Sequence, residues 1–253
     1  MNDFSFVELS LLALAGIFAG FINVVAGGGS LLTLPLMIFF GLPPAIANGS
    51  NRIAIIAQNI FAVSNFKRKG VFVYPFSLYV GLSAVAGSII GAFLAVDLDD
   101  KVFNRILALI MVAVAAVILL KQKPIIEELE QKIVKNQGIG IVAFFFLGIY
   151  GGFIHAGIGF LIILVLTRIN HFSLLKSNSI KVFVALLFSI SSLIVFILND
   201  AINWKVGLSL AVGTSIGGIL GSHFSMKKGD KWIKRILILA IIAMAIKLWF
   251  FNH

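Results

Sequence analysis

AGGGSLLTLP, Ala26 to Pro35, is the stretch on which the fold turns. It follows an apolar run, and three consecutive glycines interrupt that run where a spanning helix would otherwise continue. Gly27, Gly28 and Gly29 leave backbone N–H groups uncovered, and Ser30 stands where an N-cap would. A short apolar helix is predicted from there, ending before Gly41-Leu42-Pro43-Pro44. The N-terminus of a half-helix carries partial positive charge, which in low dielectric suits an anion. The plainer use of such glycines is close helix packing.

The rest of the chain says what surrounds this break. Of 253 residues, 60% are hydrophobic and 12% charged, with a mean hydropathy of +1.09. Soluble chains are nearer half apolar and about a quarter charged. Lipid must therefore solvate most of this one, and an all-α polytopic membrane protein is predicted. The formal charge of +10 would suggest nucleic acid in a soluble protein. Here the basic residues lie mainly in short loops between apolar runs, which is membrane topology, so no nucleic-acid partner is expected. There is no Cys, which removes disulfides, thiolate metal sites and Cys nucleophiles. The four His show no H-E-x-x-H spacing. Neither a metal nor a cofactor is predicted, and the opening MNDFSFVEL lacks the positive region of a cleavable signal peptide.

Apolar runs between charges and breakers fall at about 6–26, 29–42, 45–65, 71–96 and 103–120, then 138–155, 157–167, 178–198, 204–225 and 233–251. Runs 29–42 and 157–167 fall short of the ~20 residues of an upright span and read as half-helices or re-entrant pieces. The two sets repeat. An offset of 130 maps Gly27 on Gly157, Gly29 on Gly159, Asn48 on Asn178, Gly87 on Gly217 and Gly91 on Gly221. Upstream, an offset of 132 maps Gly16 and Gly20 on Gly148 and Gly152, and Asn23 on His155. The organisation is a first repeat at 1–120, an amphipathic linker at 121–137 and a second repeat at 138–253.

Charge orients the repeats. With Lys67, Arg68 and Lys69 placed in the cytoplasm and five crossings per half, the same side receives the linker, Arg168, Lys176 and the basic cluster from Lys227 to Arg235. The outside receives Asp3, Asp97, Asp99, Asp100 and Asp200. The halves are then inverted repeats. With four crossings each they would instead run parallel. Inverted repeats with broken helices point to a secondary transporter with a midplane site.

The helix from Ala47 to Phe66 is studded with Asn48, Asn51, Arg52, Gln58 and Asn59, and its partner in the second half with Ser177, Asn178, Lys181 and Ser189. A cation inside a membrane segment is costly and marks a functional site by default. No acid lies near Arg52 or Lys181 in sequence, so a bound anion would neutralise them. The alternative is that they snorkel or cap carbonyls. All ten acidic residues lie near termini, in loops or in the linker, which disfavours cation transport.

GFINVVAGGGSLLTLPLMIFFGLPPAIANGSN (20–51), its fainter copy GFIHAGIGFLIILVLTRINHFSLLKSNSIK (152–181), and GSIIG (87–91) with GGILG (217–221) carry a resemblance to the sulfite exporter TauE/SafE family. The second cluster lacks a third glycine. The resemblance implies transport of anionic sulfur compounds, such as sulfite or organosulfonates, across the bacterial inner membrane. The expected substrate-binding set is Gly27, Gly28, Gly29, Ser30, Asn48, Asn51, Arg52, Gly157, Gly159, Asn178 and Lys181, with Asn23 and His155 as further candidates. A passive anion channel is the near rival. A membrane-embedded enzyme is the remote one, since Ser30 with His155 is the one nucleophile–base pair that can be drawn.

Overall fold

A computed structural model describes residues 4–119 and 136–225. All but the last two residues of the linker expected at 121–137, the run expected at 233–251 and the basic cluster from Lys227 lie outside the described residues. The elements are α1 (Phe6–Ala26), α2 (Ser30–Phe39), α3 (Pro44–Arg68), α4 (Phe76–Val96) and α5 (Asp100–Leu119). After the linker come α6 (Gln137–Phe153), α7 (Ile158–Arg168), α8 (Leu174–Leu198) and α9 (Trp204–Phe224). No strand occurs among the described residues. α1, α4, α8 and α9 are long and apolar enough to cross a membrane. α4 turns Leu82, Ile89, Ile90, Phe93 and Leu94 outward, an apolar face that only lipid would solvate. The chain is a polytopic membrane protein.

Two boundaries depart from the apolar runs. α4 begins at Phe76, because Pro75 holds the position before it. α8 begins at Leu174, where the Ser173 side chain accepts from the Lys176 N–H as an N-cap. That start moves Asn178 and Lys181 into the body of the helix.

Glycine contacts give the register. On α9, Gly213 lies against Ala13, Gly217 against Ile17 and Gly221 against Phe21, so α1 and α9 run parallel in four-residue steps. Gly148 against Ala84 and Gly152 against Ser88 make α6 parallel to α4 in the same way. A Cβ at any of these glycines would overlap the facing backbone, which is the close approach that small-xxx-small spacing permits.

The remaining pairs close the argument. α3 runs parallel to α9, since the Asn203 N–H donates to Ser50 Oγ at one end and Asn65 Nδ2 donates to Ser222 Oγ near the other. α4 runs parallel to α8, with Gly81 on Leu187 and Ser88 bonded to Ser191. α3 opposes α8, for Gly49 meets Phe196 while Phe66 packs with Val182. Hence α1 opposes α6, α3 opposes α8 and α4 opposes α9. The halves are inverted, and their pairings are the same when the halves are exchanged.

These directions gather Lys67, Arg68, Lys69, Arg168 and Lys176 at one end, where Phe76 and Phe172 pack with ring centres 5.4 Å apart. The opposite end holds Asp97, Asp99, Asp100 and Asp200, together with Lys101, Arg105 and Lys205.

Candidate binding site at the broken helices

α1 stops at Gly27, whose φ of 87° is left-handed and whose N–H donates to Ile22 O (3.1 Å) and Asn23 O (2.9 Å). The second break has Gly157 at φ 75° before α7. Gly27 and Gly159 meet backbone to backbone, and a Cβ on either would overlap the other. Gly29, not Ser30, occupies the N-cap position of α2, and no side chain caps that end. Ser30 is the first residue of the helix. Gly29 sits so close to the Ala19 carbonyl that no side chain would fit there, which brings the α2 N-terminus against α1.

Arg52 and Lys181 are buried and bonded to main-chain carbonyls of the opposite half. Arg52 Nη1 donates to Gly151 O (2.6 Å) and lies 3.1 Å from His155 Nδ1. Its Nη2 donates to Gly152 O (2.8 Å) and Asn48 Oδ1 (3.0 Å). Asn48 Nδ2 in turn donates to Phe153 O at 2.7 Å. Lys181 Nζ donates to Asn23 O (3.1 Å), Val24 O (2.8 Å) and Asn178 Oδ1 (2.8 Å). Each cation therefore closes the C-terminal carbonyls of the other half's broken helix, α6 or α1. Among the described residues neither meets a carboxylate. Arg52 Nε is the one donor of the pair left unpartnered.

A small cavity lies between α1, α2, α3 and α9, with space for the centre of roughly one water molecule. Asn23, Ser30, Thr33, Asn51, Gln58 and Thr214 supply its polar lining. The Thr33 hydroxyl donates to Asn51 Oδ1 at 2.9 Å, so Asn51 Nδ2 is left as a free donor. Gln58 Nε2 is likewise buried without a partner. Unsatisfied buried donors are costly, about 1–3 kcal/mol each. With the positive end of α2 beside them, they make a pocket rich in hydrogen-bond donors and without a carboxylate.

The structure thus divides the expected residues. Asn23, Gly29, Ser30 and Asn51 line the cavity. Gly27, Asn48, Arg52, His155, Gly159, Asn178 and Lys181 instead build the joint between the halves, and Gly28 and Gly157 belong to the connecting breaks. Thr33, Gln58 and Thr214 were not expected at the site. Gln58 was visible in the polar helix, seven residues beyond Asn51 and so on the same helical face. The His155 ring meets Arg52 and packs on Phe188 with centroids 5.2 Å apart, so it belongs to the joint and not to a pair with Ser30.

The second half fills the equivalent place. The offset of 130 puts Phe160, Ile163, Phe188 and Ala84 where the first half has Ser30, Thr33, Gln58 and Thr214. Gly151 faces Ile158 and Phe188 there, so apolar side chains occupy the space. Among the described residues no group of three or more His, Cys, Asp or Glu could hold a metal ion.

A family model described as Sulfite exporter TauE/SafE matches residues 12–248. This chain belongs to the TauE/SafE family. A Sinorhizobium protein named probable membrane transporter protein ORF9 is 30% identical to it, over 98% of this chain and 95% of the relative. A Haemophilus influenzae protein named probable membrane transporter protein is 28% identical over 95% of this chain and 94% of its own. Escherichia coli YfcA, also named a probable membrane transporter protein, is 29% identical over 97% of this chain and 91% of its own. No solved structure matches. With the TauE/SafE match and its apolar helices, the chain is a multi-pass membrane protein of transporter type.

Proposed function

We propose that this chain is a secondary transporter that exports a small anion, sulfite or an organosulfonate, across the bacterial inner membrane by alternating access. It is a carrier and not an enzyme. The observation that carries the reading is the cavity in which Asn51 Nδ2 and Gln58 Nε2 stand buried without acceptors beside the α2 N-terminus. A sulfonate or sulfite oxygen supplies the missing acceptors. Arg52 and Lys181 add two buried positive charges whose field favours an anion without touching it. The two repeats, 1–120 and 138–253, rock about the joint at Gly27 and Gly159, with the linker 121–137 and the basic end in the cytoplasm. α3 places the cavity roughly 10–20 Å along a helix about 37 Å long, close to the bilayer midplane.

The test is sulfite counterflow in proteoliposomes, with sulfate, sulfoacetate and taurine as competitors. Saturable counterflow supports a carrier; flux that neither saturates nor counterflows assigns a channel instead. Gln58→Glu keeps the side chain's size but turns a donor into a negative charge. It is expected to cut counterflow at least tenfold while the protein purifies as the wild type does, because juxtaposed like charges in a dry site cost several kcal/mol. Unchanged flux in that variant would place the anion elsewhere. Outward movement of one negative charge gains ~2.3 kcal/mol per 100 mV. Collapsing the potential at constant pH is therefore expected to slow export, and an unchanged rate would assign the coupling to protons.

A further inference from the structure

Asn51, Gln58 and Asn65 follow one another at seven-residue spacing, two helical turns apart, and so share one face of α3. α9 packs along that face with Thr214, Gly218 and Ser222 at four-residue spacing. Thr214 lines the cavity and its hydroxyl donates to Ala54 O at 3.0 Å. Gly218 lies against Gln58, and a side chain there would crowd its backbone. Asn65 Nδ2 donates to Ser222 Oγ at 2.8 Å and lies 3.4 Å from the exposed His223 ring. Lys67 and Arg68 follow on the next turn, exposed. Between Gln58 and Asn65, a rise of about 10 Å, Val24 of α1 closes the seam: it lies against Gly221 of α9 and packs in one cluster with Ala62, Phe66 and Val182.

The seam thus carries polar groups at both ends and a short apolar plug between them. It leads from the cavity to the end of the molecule where the basic residues gather. Its buried end holds Gln58 Nε2 without an acceptor, and its outer end is flanked by positive charge that draws anions in.

We propose that this α3–α9 seam is the anion's path between the cavity and the cytoplasm, with Asn65, Ser222 and His223 forming its mouth. The proposal rests on the carrier reading above and adds the residues and the side by which the cargo enters. Separation of α9 from α3 and from Val24 of α1 opens the path, and their contact in the present conformation shuts it.

The chain has no cysteine, so single cysteines report access without background. Ser222→Cys at the mouth and Thr214→Cys in the cavity are nearly isosteric. Lys67→Cys and Asp200→Cys mark the two ends. Each full-length variant is treated with anionic or cationic methanethiosulfonate in inverted vesicles and in intact cells, with rates normalised to a free thiol. The expected result is modification of Ser222→Cys and Thr214→Cys from the face that labels Lys67→Cys, with the anionic reagent favoured at least tenfold at Thr214→Cys. Labelling of Thr214→Cys only from the Asp200 face, no labelling from either, or equal rates for the two reagents overturns the path. Should Thr214→Cys fail to fold, Gln58→Cys takes its place in the same comparison. Sulfite counterflow measured on the same variants separates the two ideas. Counterflow with an unreactive seam removes the path and leaves the carrier, whereas a reactive, anion-selective seam without counterflow of any anion removes the carrier and leaves the path.

Discussion

Arg52→Met is expected to lower the stability of the folded protein by about 2–4 kcal/mol, and to do so whether or not an anion is present. The substitution keeps an unbranched apolar stem but removes the donors that serve Gly151 O, Gly152 O and Asn48 Oδ1. Three buried acceptors then have no partner, at about 1–3 kcal/mol each in water-soluble proteins. Membrane interiors return less, near 0.6 kcal/mol per bond on average, because the unfolded chain also finds partners. The guanidinium also lies 5.5 Å from the centre of the Phe196 ring, a cation–π contact that methionine only partly replaces. Arg52→Lys, with three donors on one atom, is expected to recover about half of the loss. The check is the thermal midpoint in detergent, followed by counterflow on whatever remains folded. A wild-type midpoint with abolished counterflow would instead put Arg52 on the anion.

Gly27→Ala carries the second large effect. An L-residue in the left-handed region costs about 1–2 kcal/mol, and Gly27 stands there at φ 87°. The new Cβ would also enter the backbone of Gly159, and overpacking of that kind costs about 1–3 kcal/mol. Together these amount to about 2–5 kcal/mol, with transport lost because the joint between the halves no longer closes. Gly70→Ala is the control. Gly70 has φ 71°, but a Cβ there would meet nothing within 4 Å, so it bears only the backbone cost, about 1–2 kcal/mol. Equal midpoints for the two variants would mean that the Gly27–Gly159 crossing contributes nothing beyond chain conformation.

Much of this architecture was legible in the residues alone, for identifiable reasons. Hydropathy placed α1, α3 and α9 within a few residues because lipid solvation acts on every side chain in turn. Gly27–Gly29 announced the break, and the offset of 130 aligned α3 with α8 from first residue to last. The inverted relation was one of two arrangements left open, favoured by the opposite charge of the equivalent loops 97–105 and 226–235, since charge sorting across a membrane needs no knowledge of packing. The site was harder to read. Arg52 and Lys181 were expected to meet an anion because no acid lay near them. Their partners are the main-chain carbonyls of Gly151, Gly152, Asn23 and Val24, and a carbonyl has no letter in a sequence. Thr33 and Thr214 escaped notice because a single threonine on an apolar helix ordinarily bonds its own backbone. Only the arrival of α9 beside α2 and α3 makes them neighbours of Asn51 and Gln58.

The crossed capping has a consequence for how such a chain could have arisen. Each broken helix is finished by a cation from the other half, Arg52 serving α6 and Lys181 serving α1. A polypeptide of half this length would hold one open helix end and one buried cation with nothing to bind. It becomes whole only against a second copy lying upside down in the same bilayer. A half-length chain folded this way would therefore need to enter the membrane in both orientations and pair antiparallel. The second half of this chain carries Phe188 where the first carries Gln58, so the two halves share the capping but not the polar face.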